Sequence, residues 1–296
     1  MIQPKLIIIA GPTASGKSAL ALDLARRCRG EIINADAMQI YSGLPILTAQ
    51  PDERTRSEIP HTLYGALDPS TRSSAGNWRT LAANAIKAAA AADRSPILVG
   101  GTGLYFRALL GGLADIPPIS NEAHLKTQML YDESGEDKFR QLLAKLDPES
   151  ASRIAPHDRQ RLIRAYEVAF YTGKPLGHWH EKNIPDTLCD FKIEPHLLMP
   201  PRAELYAACD KRFESMIERG AIDEARSFFK RALDPSLPAM KTIGLREIGA
   251  HLCGATTLEQ AIAKGQQTTR NYAKRQVTWF RNQWSFPTAA PSALAS

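Results

Sequence analysis

The chain has 296 residues, 44% hydrophobic and 23% charged, so it can bury a sizeable core and is not an intrinsically disordered chain. The formal net charge is only +6, so the position of the basic residues matters more than their number. No apolar run reaches membrane-spanning length, and the four cysteines lack a metal-binding spacing. We expect no leader peptide before the first predicted strand. We therefore expect a cytoplasmic protein with reduced thiols and no membrane partner.

The first predicted strand, residues 6–10, runs into a glycine-rich loop. Residues 11–18 read Gly-Pro-Thr-Ala-Ser-Gly-Lys-Ser, and a predicted helix at 18–27 follows. This strand–loop–helix order is the setting of a phosphate-binding loop. Lys17 would bring positive charge to the phosphates, and the Ser18 hydroxyl would hold Mg²⁺. The alternative is a glycine-rich turn that happens to contain a lysine.

Strands and helices alternate along the first hundred residues. Two more strands are predicted at 31–35 and 96–99, and a long alanine-rich helix at 77–92. This alternation favours an α/β fold like that of P-loop NTPases, with a parallel sheet and helices on both of its faces.

Three polar residues, Lys17, Asp36 and Thr102, each lie just past a predicted strand. The loops after parallel strands gather at one edge of the sheet, so we expect the three side chains to converge there. Asp36 would hold a metal or accept a proton, or it would merely cap a turn. Thr102, in Gly-Gly-Thr-Gly, would contact a ligand or belong to a tight turn.

The pattern changes at residue 117, where helix signals replace the alternation. They cover residues 122–131, 137–146, 148–154 and 158–171. A strand at 191–198 and helices at 201–219, 222–233 and 258–284 then return to the core. We predict a core at 1–116 and 188–284, an all-helical insertion at 117–187, and a disordered tail at 285–296.

Basic residues mark two segments before the last predicted helix. Arg161 and Arg164 share a helix face, where they would bind phosphate or pair with acids such as Glu167. Arg202 begins a helix against the helix dipole, a conflict that a bound anion would resolve; the alternative is an indifferent exposed arginine.

The last predicted helix is amphipathic. Arg270, Lys274 and Arg281 fall on one face, and no acid follows Glu259. Phosphates of a nucleic acid are the natural partner of such a basic face, and a solvated surface is the alternative. Trp279 and Phe280 are expected to be core residues.

Six segments, in order along the chain, together resemble the tRNA dimethylallyltransferases, also called tRNA isopentenyltransferases. They are the phosphate loop at 11–18, Asp-Ala-Met-Gln-Ile-Tyr at 36–41, Gly-Gly-Thr-Gly-Leu-Tyr at 100–105, Gln-Arg-Leu-Ile-Arg-Ala at 160–165, Thr-Ile-Gly-Leu-Arg-Glu at 242–247, and residues 269–281. The phosphate loop alone is unspecific, but the set is highly specific. The chain departs from the family at Ala37, where serine is usual, and at 44–51, where an Asp and a Lys are missing.

The resemblance implies transfer of a dimethylallyl group from its diphosphate to N6 of the adenosine just 3′ of the anticodon, in tRNAs reading codons that begin with U. Asp36 would accept the amine proton, with Thr102 and Lys17 as the other catalytic residues. The diphosphate would contact Gly11, Pro12, Thr13, Ala14, Ser15, Gly16, Lys17, Ser18 and Arg202, with Mg²⁺ on Ser18. The target base would be flipped out of the anticodon loop.

The resemblance also implies the surface that binds the tRNA anticodon stem-loop. Its residues would be Asp36, Ala37, Met38, Gln39, Gln160, Arg161, Leu162, Ile163, Arg164, Arg246, Arg270, Lys274, Arg275 and Arg281. A monomer is expected. Three other functions remain open from the residues themselves: a small-molecule phosphotransferase with an arginine-rich lid, an adenylate isopentenyltransferase acting on free nucleotide, and a non-enzymatic nucleotide-binding module.

Overall fold

A computed structural model of the chain describes residues 3–111, 114, 116–180 and 188–284, so the predicted tail at 285–296 lies outside the described residues. The strands are β1 (Lys5–Ala10), β2 (Gly30–Asn34), β3 (His61–Thr62), β4 (Ser95–Gly100) and β5 (Lys192–Leu197). They form one parallel sheet in the order β3-β2-β4-β1-β5. The predicted α/β class is confirmed.

Twelve α-helices accompany the strands in the described residues. They are α1 (Lys17–Cys28), α2 (Glu53–Glu58), α3 (Ala75–Ala91), α4 (Gly103–Leu110), α5 (Asn121–Leu146), α6 (Pro148–Arg153), α7 (Arg159–Thr172), α8 (Leu176–His180), α9 (Arg202–Glu218), α10 (Ala221–Phe229), α11 (Leu245–Leu252) and α12 (Leu258–Gln283). No helix among these residues is long and apolar enough to cross a membrane.

The sheet is apolar on both faces because its central strands are covered on both sides. Successive side chains of β1 alternate between the faces. Ile8 belongs to the core that contains Trp78 of α3, whereas Ile9 belongs to the core that contains Ala21 of α1. The predicted placement of helices on both faces is therefore confirmed.

The register of the strands positions the site. Ala10, at the end of β1, lies opposite Gly100 of β4 on one side and Leu197 of β5 on the other. The loops that follow these three strands therefore begin side by side at the carboxyl edge of the sheet.

The chain divides into two compact units, which we call the sheet unit and the helical unit. The sheet unit comprises Met1–Leu110 and Thr187–Ser296, and the helical unit comprises Gly111–Asp186. In the helical unit, α5 is interrupted at Gly135, whose φ of 73° is outside the helical region, so the two helices predicted at 122–131 and 137–146 are confirmed. Its core is built around Phe139, Leu162 and Tyr166.

Several element bounds differ from the sequence prediction. The helices α2, α4, α8 and α11 were not predicted. The helix α10 ends at Phe229 rather than at residue 233, because the chain turns at Ala232, whose φ is 47°.

Candidate functional site

The loop at 11–18 joins β1 to α1 and has the backbone of an anion site. Gly11 has a φ of 150°, and a Cβ there would lie 2.4 Å from the Leu198 carbonyl oxygen. Gly16 caps α1 with a φ of 89° and offers no side-chain hydrogen bond to the helix. The first N–H groups of α1 are therefore left to an anion, toward which the helix dipole also points.

Lys17 lies in the first turn of α1, folded back onto its own loop. Its ammonium group donates to the Pro12 carbonyl oxygen and lies 3.4 Å from Ser15 Oγ. Burial, together with the positive charge of Arg212, lowers the pKa of Lys17 to about 7, and the charge of Asp36 opposes this shift. An anion bound at the loop would favour the charged form.

Asp36 is held in a tight turn just past β2. Its Oδ1 accepts a hydrogen bond from Met38 N at 2.9 Å, and its own N–H donates to Asn34 Oδ1 at 2.8 Å. The structure thus shows the turn role, but Oδ2 forms no hydrogen bond within the described residues and remains able to accept a proton. Thr102 Oγ1 accepts from Ala37 N at 2.9 Å and so connects the ends of β2 and β4.

A pocket of the sheet unit lies between these loops and the carboxyl-terminal helices. Its lining includes Thr13, Asp36 and Arg212. The remaining lining is largely apolar and comprises Met38, Leu47, Thr48, Cys209, Phe213, Met216, Thr242, Ile243, Thr269 and Tyr272. A lining that includes charged side chains and apolar ones suits a ligand that carries both a charged and a hydrocarbon part.

Arg212 of α9 is a functional candidate that sequence reasoning missed. Burial lowers its pKa, and the charge of Asp36 opposes that shift. A signal was present, since Arg212 follows Cys209 by three residues and precedes Met216 by four, on a face that is otherwise apolar. Arg202, which was predicted instead, is exposed at the start of α9, with its guanidinium carbon 5.0 Å from the centroid of the Tyr206 ring.

The helix α12 contacts the loops that follow β1 and β4. Burial raises the pKa of the Tyr272 phenol, and the nearby Thr102 side chain opposes this shift. Gln276, also missed from the sequence, bonds both to the phosphate loop and to the loop after β4. A Cβ on Gly103 would lie 2.1 Å from the Trp279 ring, so only glycine allows this approach. Trp279 packs against the core and Phe280 is buried, as predicted.

The altered segment at 44–51 is anchored without the Asp and Lys that the family pattern expects. The Glu224 carboxylate of α10 accepts hydrogen bonds from Ile46 N at 2.7 Å and Leu47 N at 2.8 Å. Gln50 Nε2 donates to the Tyr41 carbonyl oxygen at 2.8 Å, and Gln39 Nε2 donates to Thr48 O at 2.8 Å. Internal hydrogen bonds therefore shape this wall of the pocket.

The predicted basic face of α12 needs one correction. Arg270 Nη1 lies 2.5 Å from Asp210 Oδ1 of α9, so an acid from another helix neutralises it. Lys274, Arg275 and Arg281 are exposed, and within the described part of the chain none of them forms an ion pair. Arg246 is likewise exposed, in the first turn of α11.

In the helical unit, the arginines predicted to bind phosphate pair with neighbouring acids. Arg161 lies 3.2 Å from Asp158, and Arg164 lies 3.5 Å from Glu167. Their side chains are still 78% and 47% exposed, as an RNA contact requires. Gln160 is exposed, whereas Leu162 and Ile163 are buried in the core of this unit, so their side chains do not face a ligand. The predicted roles stay predictions.

The fold and the loop at 11–18 define the class of protein, a P-loop-like α/β protein with a partly apolar pocket beside that loop. The model of the IPP transferase family matches residues 39–283. The chain belongs to this family. It is 53% identical to a tRNA dimethylallyltransferase of Caulobacter sp. (strain K31), over 96% of this chain and 91% of that relative. It is 50% identical to one of Rhodospirillum centenum, over 94% and 88%.

Two solved structures are similar over most of this chain. A tRNA delta(2)-isopentenylpyrophosphate transferase of Staphylococcus epidermidis matches 97% of this chain and 92% of its own, at 32% identity and a TM-score of 0.66. A eukaryotic dimethylallyltransferase acting on tRNA matches 94% of this chain and 70% of its own, at 30% identity and a TM-score of 0.79.

Proposed function

We propose that this enzyme transfers the dimethylallyl group of dimethylallyl diphosphate to N6 of adenosine 37, the base just 3′ of the anticodon, in tRNAs that read codons beginning with U. The observation that carries the proposal is the similarity to tRNA dimethylallyltransferases over 96% of the chain, at 53% identity. The pocket supports it, because Arg212 in its lining suits a diphosphate and its apolar side chains suit a branched five-carbon chain.

The leaving diphosphate would bind at the phosphate loop. The N–H groups at the start of α1, the ammonium of Lys17 and the guanidinium of Arg212 are the donors that would stabilise the charge that grows as the C–O bond breaks. Arg212 takes this role ahead of Arg202 because it lines the pocket.

Asp36 would accept the proton of the attacking amine. N6 of adenine forms a bond to the allylic carbon, the carbon–oxygen bond to diphosphate breaks, and the amine proton passes to Oδ2, which forms no hydrogen bond within the described residues. The Met38 N–H on Oδ1 fixes the carboxylate, and the Thr102 hydroxyl fixes the Ala37 N–H of the same turn.

We also propose that the enzyme uses Mg²⁺, held by the Ser18 hydroxyl. Among the described residues, no group of three or more His, Cys, Asp or Glu side chains could hold a metal by itself. This fits an ion held largely by substrate phosphates, because Mg²⁺ commonly takes only one or two protein ligands there. Ser18 is exposed in the first turn of α1, where its hydroxyl would hold the ion. Bound there, Mg²⁺ would neutralise charge on the diphosphate.

The tRNA anticodon stem-loop would be bound by exposed basic residues of both units. These are Arg161 and Arg164 in the helical unit, and Arg246, Lys274, Arg275 and Arg281 in the sheet unit. Contacts of this kind go mainly to phosphates and position the RNA rather than read its sequence. We expect the enzyme to act as a cytoplasmic monomer.

The experiment that tests this function offers labelled dimethylallyl diphosphate with three acceptors. These are a tRNA carrying adenosine 37, the same tRNA with guanosine 37, and AMP. We expect label only in the first. Label in AMP instead would assign the enzyme to free nucleotides, and transfer of phosphate from ATP without prenyl transfer would favour a phosphotransferase.

A further inference from the structure

One side chain of α12, that of Gln276, connects the two loops on which the proposed reaction depends. Its Oε1 accepts a hydrogen bond from Thr13 N of the phosphate loop at 2.8 Å. Its Nε2 donates to the carbonyl oxygen of Gly101, the residue before Thr102, also at 2.8 Å. Gln276 is only 6% exposed, so both ends of the amide meet protein rather than water. A buried amide is retained at no great cost only when it is bonded in this way.

The same helix contacts the second loop at two successive turns. At the first turn a Cβ on Gly101 would lie 2.3 Å from Gln276 Nε2, so the approach requires glycine. At the next turn Trp279 packs on Gly103, where a Cβ would lie 2.1 Å from the ring. The backbone at 101–103 is therefore fixed against α12 rather than only against its own strand.

The hydrogen bond from Thr13 N to Gln276 also decides which N–H groups of the phosphate loop can bind an anion. Because the N–H of Thr13 is bound to Gln276, it is directed toward α12 and is not offered to an anion. The N–H groups at the start of α1 stay available to an anion. Gln276 thus sets how the first half of the loop lies relative to the turn that Thr102 holds.

We infer that Gln276 is a positioning residue that fixes the separation between the diphosphate loop and the loop of Thr102. This inference rests on the proposed function, in which the first loop holds the leaving group and the second holds the turn of Asp36. Transfer needs the amine, the allylic carbon and the leaving oxygen aligned, and a misplacement of about 1 Å costs roughly 10²-fold in rate. Gln276 itself touches neither substrate in this arrangement.

Two substitutions separate this role from simple packing. Gln276→Met keeps the length and shape of the side chain but loses both hydrogen bonds. Gln276→Glu keeps the acceptor for Thr13 N, but when ionised it places a negative oxygen against the Gly101 carbonyl. A protonated carboxyl has an O–H donor beside an acceptor oxygen, and so it can replace the two hydrogen bonds that the amide makes here. Burial raises the pKa of a carboxyl, so this group protonates within an accessible pH range.

The measurements are kcat and KM for tRNA prenylation, between about pH 6 and about pH 9, well below the melting temperature of each variant. For Gln276→Met we expect kcat to fall about 10- to 100-fold, with KM for tRNA within about twofold of the wild-type value. For Gln276→Glu we expect kcat, relative to wild type, to recover as the pH falls. Gln283→Met, at an exposed position of the same helix, is the matched control and should behave as wild type.

The outcomes distinguish this inference from the function on which it rests. A folded Gln276→Met enzyme with wild-type kcat would overturn the positioning role alone. If Gln276→Met does not fold, the Gln276→Glu profile decides, and a ratio to wild type that does not change with pH would overturn it. A wild-type enzyme that fails to prenylate tRNA in the same assay would overturn the proposed function and this inference with it.

Discussion

Lys17 carries a charge that depends on its ligand. In the free protein the pKa of Lys17 lies at about 7, so at about pH 8 this side chain is uncharged in most molecules. A bound diphosphate stabilises the ammonium form and raises this pKa, so binding at that pH should take up a proton. Calorimetric titration of inorganic diphosphate in two buffers of different ionisation enthalpy measures this uptake.

The matched variant for this prediction is Lys17→Arg, because arginine stays charged throughout the range. We expect the wild type to take up more protons than this variant, by up to about one per site at about pH 8, and the difference to vanish below about pH 6. Equal uptake by the two proteins at both pH values would mean that Lys17 is already charged in the free protein.

The Asp36 carboxylate holds its turn through Oδ1 and is proposed to accept a proton at Oδ2. A substitution can remove the second role and keep the first. Asn at this position keeps an oxygen for Met38 N but cannot take the amine proton. We expect Asp36→Asn to lower kcat by about 10²- to 10⁴-fold while tRNA affinity and the melting temperature stay near wild type. Single-turnover prenylation beside a tRNA binding titration tests this. An equally active variant across the pH range would leave Asp36 with the turn role only.

The sequence predicted the site residues that follow strands and missed those that come from helices. Lys17, Asp36 and Thr102 were placed correctly because the ends of parallel strands meet at one edge whatever the rest of the chain does. Arg212 and Gln276 approach the same edge from α9 and α12. Their placement depends on how these helices pack in three dimensions, which local pattern does not encode.

At the scale of elements, α12 has an inner face that holds the loops and an outer face that is basic. The outer face is not uniform. Arg270 is 31% exposed and paired with Asp210, whereas Lys274 and Arg281 are exposed and have no acidic partner among the described residues. Charge periodicity predicted the helix and its faces, but it could not show an acid contributed by α9.

This difference leads to a graded prediction for tRNA binding. Affinity falls as salt rises, and the steepness of this fall on a log–log plot counts the phosphate contacts. Lys274→Ala and Arg281→Ala should each make the slope shallower by roughly 0.7–0.9, if each side chain contacts one phosphate. Arg270→Ala should change the slope less, because Asp210 already neutralises that charge. Filter binding at several salt concentrations measures all three. Equal effects of the three variants would mean that the ion pair opens when tRNA binds.

Two of the helices that the sequence missed, α4 and α11, share a cause. The helix α4 begins at Gly103 and α11 follows Gly244, so glycines that look like loop residues stand at helix starts. In both places another element approaches closely, Trp279 at Gly103 and Phe213 at Gly244. Glycine is required there by tertiary packing, and a reading based on local propensity takes it for a turn.

At the scale of the whole molecule, the diphosphate is proposed to bind to the sheet unit alone, whereas tRNA is proposed to contact both units. Every residue that lines the pocket belongs to the sheet unit. The helical unit has a separate core, in which the Phe139 ring lies 5.0 Å from those of Tyr131 and Tyr166, measured between centroids. Its exposed arginines offer contacts to RNA but none of the groups proposed to act on the diphosphate.

A cavity in the helical unit should therefore affect the two substrates differently. Phe139 is fully buried, and Phe139→Ala should cost about 3–5 kcal/mol in the stability of that core. We expect this variant to lose tRNA affinity and prenyl transfer near physiological temperature, while binding of inorganic diphosphate by the sheet unit stays near wild type. Thermal unfolding should show an early transition that the wild type lacks.

The control for this prediction is Leu146→Ala, because Leu146 belongs to the same unit but is 39% exposed and should tolerate truncation. Calorimetry with inorganic diphosphate and filter binding with tRNA, at one temperature for all three proteins, give the comparison. Loss of diphosphate binding together with tRNA binding in Phe139→Ala would mean that the units unfold as one. Unchanged tRNA affinity despite the early transition would remove the helical unit from the tRNA-binding surface and leave that role to the basic face of α12.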